Sequence, residues 1–251
     1  HSLPYVRQLV TLVQRPAREV KLVAVTALLD VMHQRLLPAR LLLPFQRQPL
    51  GESPSSRQLL QARFEDELRS LHRELVECVC KGTSDSVIHV RQRMMSSAHW
   101  MLTNKPEGER VLLPALVNKL GDPDKKVASR ATHLLGLLAN EHPAMKPVLL
   151  GEVQRFVLRA NVGERAQYYA TIFMNQMVLT SHEPQTARTL LLVYLSLFGA
   201  RATEVGALKT ALDTRMLSAL LAGIHRAVPF CDAEATEPLK RQLGAVFRCT
   251  H

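Results

Sequence analysis

Aromatic residues are scarce in this 251-residue chain, at 5%, while Leu, Ala and Val dominate a hydrophobic content of 47%. That balance disfavours sandwiches and barrels, which draw on β-branched and aromatic strands, and favours helix packing. Cysteine is sparse too. Cys78, Cys80, Cys231 and Cys249 make neither a disulfide framework nor paired Cys-x-x-Cys knuckles, so a reducing compartment is the simpler inference. The eleven glycines are scattered and form neither a phosphate-cradling loop nor a dinucleotide fingerprint, so no nucleotide cofactor is expected. Ten histidines include no pair spaced i, i+4 around a Glu, and Cys78 and Cys80 cannot put both thiols on one side of a helix. No metal site is expected. No Ser stands in a nucleophile elbow and no Cys has a supporting context, so no catalytic residue and no small-molecule substrate are expected. His133 reads as a packed or capping side chain. Long hydrophobic runs are also missing. The longest charge-free stretch, residues 166–182, is broken by Gln167, Asn175, Gln176 and two Tyr, and reads as a buried helix and not as a membrane span. The chain opens with His1, without a signal peptide, and stops abruptly at His251; a piece of a longer protein is expected.

What the chain does have is positive charge. The formal charge is +10, carried by 9 Lys and 23 Arg against 22 acids. An acidic partner fits that balance, whether nucleic acid, an anionic membrane or an acidic protein surface, and Arg offers the planar fork that grips phosphate twice. A merely solvated face needs no partner at all.

Helical periodicity and turn residues divide the chain. Residues 3–14 and 17–36 read as helices, with Pro16 in the first turn of the second. Residues 37–55 hold four of the fourteen prolines, Gly51 and a Ser cluster, and read as the boundary between an N-terminal helical pair with its Pro-rich loop, 1–50, and a helical-repeat region, 51–251. A long helix at 56–80 follows, then helices at 85–103, 108–120, 124–140, 144–158, 164–181, 185–200 and 212–227, each turn marked by Gly, Pro, Asn or Ser. Pairs of about 35 to 45 residues in series predict an all-α fold: a HEAT/armadillo-like α-solenoid of stacked antiparallel helix pairs. In the clearest repeat, Val127, Ala131, Leu134, Leu135 and Leu138 form one apolar stripe. Residues 188–198 are apolar almost all round and are expected deep in the stack.

Three stretches carry a family resemblance. The first is LVNKLGDPDKKVASRATHLL at 116–135. The second runs from HPAMK at 142–146 through EVQRF at 152–156 and RAQYYA at 165–170 to NQMVL at 175–179. The third is MLSALLAGIHRAVPF at 216–230. Together they resemble the CCAAT/enhancer-binding protein zeta, or nucleolar-complex, family of large-subunit ribosome-assembly factors. Weaker similarity covers Phe64-Glu65, Lys105-Pro106-Glu107 and the turn at 36–38, so nearly the whole chain is included. The third stretch would be the start of the CCAAT-binding-factor region, departing from the family pattern at His225, where Asn is usual, and at Val228, where an aromatic is usual. The resemblance implies a non-enzymatic scaffold of the nucleus and nucleolus in 60S subunit biogenesis. Its implied partners are pre-ribosomal RNA, a second nucleolar-complex protein of the nucleolar complex protein 2 type, and other pre-60S assembly factors and ribosomal proteins, with no membrane. Two alternatives stand beside it: a transcriptional activator of CCAAT elements, which lacks a recognisable basic recognition helix here, and a HEAT-type transport or signalling adaptor.

In a stack of antiparallel helices alternate turns share a rim, so the turns near 81, 121, 161 and 205 would lie on one edge. That edge gathers Lys81, Lys119, Lys125, Lys126, Arg159, Arg165, Arg201 and Lys209, with Asp85, Asp122, Asp124, Glu164, Glu204 and Asp213 among them. These cations are the expected RNA-binding residues, aided by backbone donors at the helix starts near Asp124 and Glu164. The competing expectation makes Asp122 and Glu164 caps and the cations solubilising. Arg155 or Arg159 could bridge Glu152, and Trp100, Tyr168 and Tyr169 are expected in the core and not stacked on bases.

Overall fold

The computed structural model describes residues 3–202 and 211–231, without the side chains of 201–202 and 211–213. The turn near 205 with Glu204 and Lys209, the side chains of Arg201 and Asp213, and Cys249 lie outside the described residues. The described residues are all-α, as composition predicts: α1 (Leu3–Val13), α2 (Arg18–Val31), α3 (Ser56–Gly82), α4 (Ile88–Asn104), α5 (Glu109–Val117), α6 (Lys125–Glu141), α7 (Lys146–Val157), α8 (Glu164–Gln176), α9 (Pro184–Ala202) and α10 (Ala211–Ala227). No described helix is long and apolar enough to cross a membrane. Two compact units divide the chain, His1–Leu116 and Val117–His251.

In the first unit α1 packs on α2 and on α3, and α3 and α2 both pack on α4. First helices stack on first helices and second on second, the rule of a HEAT-like solenoid. The core is Leu28, Met32, Leu68, Leu75, Val79, Met94, Met95 and Met101, all buried. Pro16 stands just before Ala17, the N-cap of α2, and not within the first turn. The end of α2 widens into a π turn, Met32–Leu36, closed by Leu37 N donating to Met32 O at 2.7 Å. Leu37 is extended, the conformation that Pro38 imposes on its predecessor. The wide turn places His33 against His72 of α3, Nε2 to Nε2 at 3.2 Å, and beside the Trp100 ring, with centroids 5.0 Å apart.

The proline-rich connection after this turn is held by acids from elsewhere in the unit. Glu107 accepts the Leu42 N–H at 2.8 Å; Glu65 accepts the Leu43 N–H at 2.8 Å and a two-pronged bond from Arg40; Asp66 accepts the Phe45 N–H at 3.3 Å. The scattered weak similarities at 64–65 and 105–107 therefore supply acids to one anchoring point. The Arg40 bond holds the Glu65 carboxyl down to about 2. Gly108 follows with φ of 84°, and a Cβ there would lie 2.9 Å from Val76. Ser55 and Gln58 then open α3 with a reciprocal capping box.

In the second unit α6 packs on α8 and α8 on α10, while α7 packs on α9; α7 also packs on α8, and α9 on α10. The α6 stripe is buried as its periodicity predicts. In α9 the residues Leu190, Leu191, Val193, Tyr194, Leu195 and Leu197 are buried, and Leu192 is exposed. His133 is exposed, not packed. The largest departure from the sequence reading is α8, which stops at Gln176 and not near 181. Met177 is extended, its carbonyl accepts from Arg226 of α10, and Lys146 donates from Nζ to the Val178 carbonyl at 3.0 Å and to Glu183 Oε2 at 2.9 Å. Two cations brought from other helices satisfy the carbonyls that a longer helix would have bonded internally.

Candidate nucleic-acid interface

The connection from α5 to α6 tightens into a 3-10 turn, Asn118–Gly121, because Gly121 sits against its neighbours: a Cβ there would lie 3.2 Å from Phe156 and 3.3 Å from Ala166. Asp122 turns back to accept the Asp124 N–H at 3.0 Å and faces Lys119 at 3.7 Å. Asp124, not Asp122, is the N-cap of α6, accepting from Lys126 N at 2.8 Å and Val127 N at 3.2 Å. The backbone donors expected to face RNA at this helix start are thus shared with a carboxylate. α8 begins at Gly163 without a side-chain cap, and Glu164 occupies its first turn.

The connection from α7 to α8 lies beside this turn. Arg159 donates to Asn118 Oδ1 at 2.9 Å, with its guanidinium 5.8 Å from the Phe156 ring centroid. Arg165 donates to the Pro123 carbonyl at 2.9 Å and lies 5.9 Å from the Tyr169 ring centroid. The structure therefore brings Lys119, Lys125, Lys126, Arg159 and Arg165 to one end of the second unit but presents them differently. Lys125 and Lys126 are exposed at the first turn of α6; Arg159 is exposed with one bond made; Arg165 is half-buried; Lys119 keeps only 13% of its side chain in solvent. Lys81 belongs to the first unit, exposed in the last turn of α3. Arg155 bridges Glu152 at 3.0 Å, so that pair forms and Arg159 is not part of it.

Among the described residues no group of three His, Cys, Asp or Glu is placed to hold a metal ion. Three further charged residues are engaged internally: Lys146 is buried and bonded to Glu183, and Glu107 accepts from the backbone of Leu42. A part-buried polar knot that spacing did not single out joins three helices. Tyr194 of α9 donates to Asn175 Oδ1 at 2.8 Å, and Asn175 Nδ2 donates to the Ala219 carbonyl of α10 at 2.8 Å. Gly223 lies over it, where a Cβ would come within 2.5 Å of Asn175 Oδ1 and 2.6 Å of the Tyr194 ring. Burial pushes the Tyr194 hydroxyl upward. Lys146, Asn175, Gly223 and Arg226 all fall inside the stretches that carry the family resemblance; the signal present in the sequence was polar residues interrupting apolar helices.

Helical pairs stacked in series define the class: a HEAT-like α-solenoid. The chain is 34% identical over its whole length to CCAAT/enhancer-binding protein zeta of Homo sapiens, covering 24% of that protein. It is 30% identical over its whole length to Ribosome biogenesis protein NOC1 of Chaetomium thermophilum, covering 29% of it, and 32% identical over 75% of its length to Nucleolar complex protein 1 of Drosophila melanogaster, covering 16% of it. The chain belongs to this CCAAT/enhancer-binding protein zeta and nucleolar complex protein 1 family, whose members' names point to the nucleus and nucleolus. It spans about a quarter of the length of the human relative. No family model matches the chain. Among solved structures, a chain from a complex of Kap95p with RanGDP superposes over 98% of this chain and 33% of its own length, with 16% identity and a TM-score of 0.48.

Proposed function

We propose that this chain is the helical scaffold part of a factor that assembles the large, 60S, ribosomal subunit, holding pre-ribosomal RNA and a second nucleolar-complex protein of the nucleolar complex protein 2 type. The observation that carries the reading is its likeness, over its full length, to a protein named for ribosome biogenesis. Other pre-60S assembly factors and ribosomal proteins are its further neighbours. The scaffold works by surface contact and not by catalysis.

The RNA contact is assigned to Lys81, Lys119, Lys125, Lys126, Arg159, Arg165, Arg201 and Lys209. Lys125 and Lys126 lead, because they are exposed and neighbour each other on one helix turn. Arg159 and Arg165 shape the surface by fixing the loops and reach phosphate with their remaining N–H groups. Contacts of this kind read the shape and charge of folded RNA, not its base sequence. Charge reversal, Lys125→Glu with Lys126→Glu, in the full-length protein is expected to weaken crosslinking to large-subunit precursor RNA and to lower the salt slope of binding by about 2, one for each phosphate contact. Unchanged binding at low salt rejects the assignment.

The human relative's name also speaks of a CCAAT enhancer. Duplex DNA bearing CCAAT, competed against precursor RNA, separates the two readings: RNA is expected to displace the DNA.

A further inference from the structure

The N-terminal half of α3 carries apolar side chains that its own unit leaves in solvent. Leu60 is 71% exposed and Leu59 39%, and the proline-rich connection adds Leu41 and Phe45, at 56% and 39%. Two shallow hollows meet at Leu60. Leu36, Pro38, Leu42 and Phe64 line one, with Arg57 at its edge; Phe45 and Leu59 line the other, with Arg63 at its edge. The wall opposite α3 is held in place by the Glu65, Asp66 and Glu107 bonds to the backbone of 42, 43 and 45. Those same bonds, with the Arg40 pair, engage Glu65 and Asp66 internally. Arg57 and Arg63 remain exposed, with no acid paired to them.

We propose that this groove docks an acidic amphipathic helix of a protein partner, with apolar anchors in the two hollows beside Leu60 and carboxylates on Arg57 and Arg63. The charge left over at the edges is positive while the floor is apolar, and an acidic helix with one apolar face matches both. A nucleic acid matches mainly the edges, since the hollows are lined mostly by aliphatic side chains, with one aromatic ring in each, Phe64 and Phe45, in place of a run of rings for successive bases. The groove lies wholly in the first unit and does not depend on the RNA assignment at Lys125 and Lys126.

The test uses the full-length protein and fluorescence anisotropy with a short labelled helical peptide bearing Leu on one face and Glu on the other. A version with Lys in place of Glu and a single-stranded RNA oligonucleotide serve as comparisons. Saturable binding of the acidic peptide is expected, weakened at least about tenfold by Leu60→Asp and by the pair Arg57→Glu, Arg63→Glu, with the pair now favouring the Lys peptide. Leu60 is mostly in solvent, so its substitution leaves the melting temperature unchanged and loss of binding is not loss of fold. Absence of saturable binding, equal binding of both peptides to the unsubstituted protein, or displacement of the acidic peptide by RNA overturns the proposal.

Discussion

Single residues set the tolerance of this fold where backbones approach closely. At Gly223 a methyl group would enter the space of Asn175 and Tyr194, both fixed by hydrogen bonds and the second of them buried, so neither yields cheaply. Gly223→Ala is expected to cost about 1–3 kcal/mol of stability, read by chemical denaturation. Gly136, with open space around its Cβ position, makes the internal control: the same substitution there is expected to be neutral or stabilising, as Ala is the better helix former. The His33–His72 pair sets a pH dependence. Burial lowers His33 to about 4 and His72 to about 3, with Lys105 adding to the first and His33 to the second. The unfolded chain takes up these protons near pH 6.5, before the folded one does. Stability is therefore full above about pH 6.5 and is lost as pH falls toward 4 and then 3, at up to about 1.4 kcal/mol per pH unit for each proton. Unfolding measured between pH 7 and pH 4.5 is expected to show this slope, and the double variant His33→Leu, His72→Leu to flatten it.

At the scale of elements, the connection between α8 and α9 is not helical and depends on cations from outside it. Lys146 is 4% exposed, and its ammonium holds both the Val178 carbonyl and Glu183. The bond from Lys146 is what chiefly draws the Glu183 carboxyl below its ordinary value. Lys146→Ala leaves those acceptors without their donor and opens space at the start of α7, a loss of about 2–3 kcal/mol. Hydrogen exchange across 177–183 is expected to accelerate more than exchange within α6. Equal acceleration in both would mean that the whole unit is loosened and that Lys146 does not act on the connection in particular. The starts of α3, α6 and α8 were legible because turn residues lie next to them, although the caps themselves are Ser55, Asp124 and Gly163 and not the expected Asp122 and Glu164. The end of α8 has no such mark, since apolar and neutral residues continue to 182 and the stop comes from Arg226 and Lys146, far away in sequence.

For the molecule as a whole, the proposed scaffold would make two separable contacts. Purified full-length protein is expected to lose large-subunit precursor RNA on RNase treatment while keeping a second nucleolar-complex protein. Loss of both would place RNA between the two proteins. Raising salt is expected to release the RNA first, because phosphate contacts give up their counterion-release advantage steeply while an apolar groove does not.

Composition, periodicity and turn residues by themselves determined that the chain is all-α, where nearly every helix lies, and that α9 is buried, because helix formation and amphipathicity are written over three and four residues. Its motif residues also carried the family. Only the tertiary structure decided which charges are available. Lys119, Lys125 and Lys126 look alike in sequence, yet Asp122 covers the first and leaves the others in solvent. Arg159 and Arg165 meet Asn118 and Pro123, some forty positions earlier, through the packing of successive helix pairs. Likewise Glu65 and Glu107 became one anchor for the proline-rich connection only when α3 and the turn before α5 were brought to it. Contacts between residues so far apart depend on how helices stack, and no local spacing encodes that.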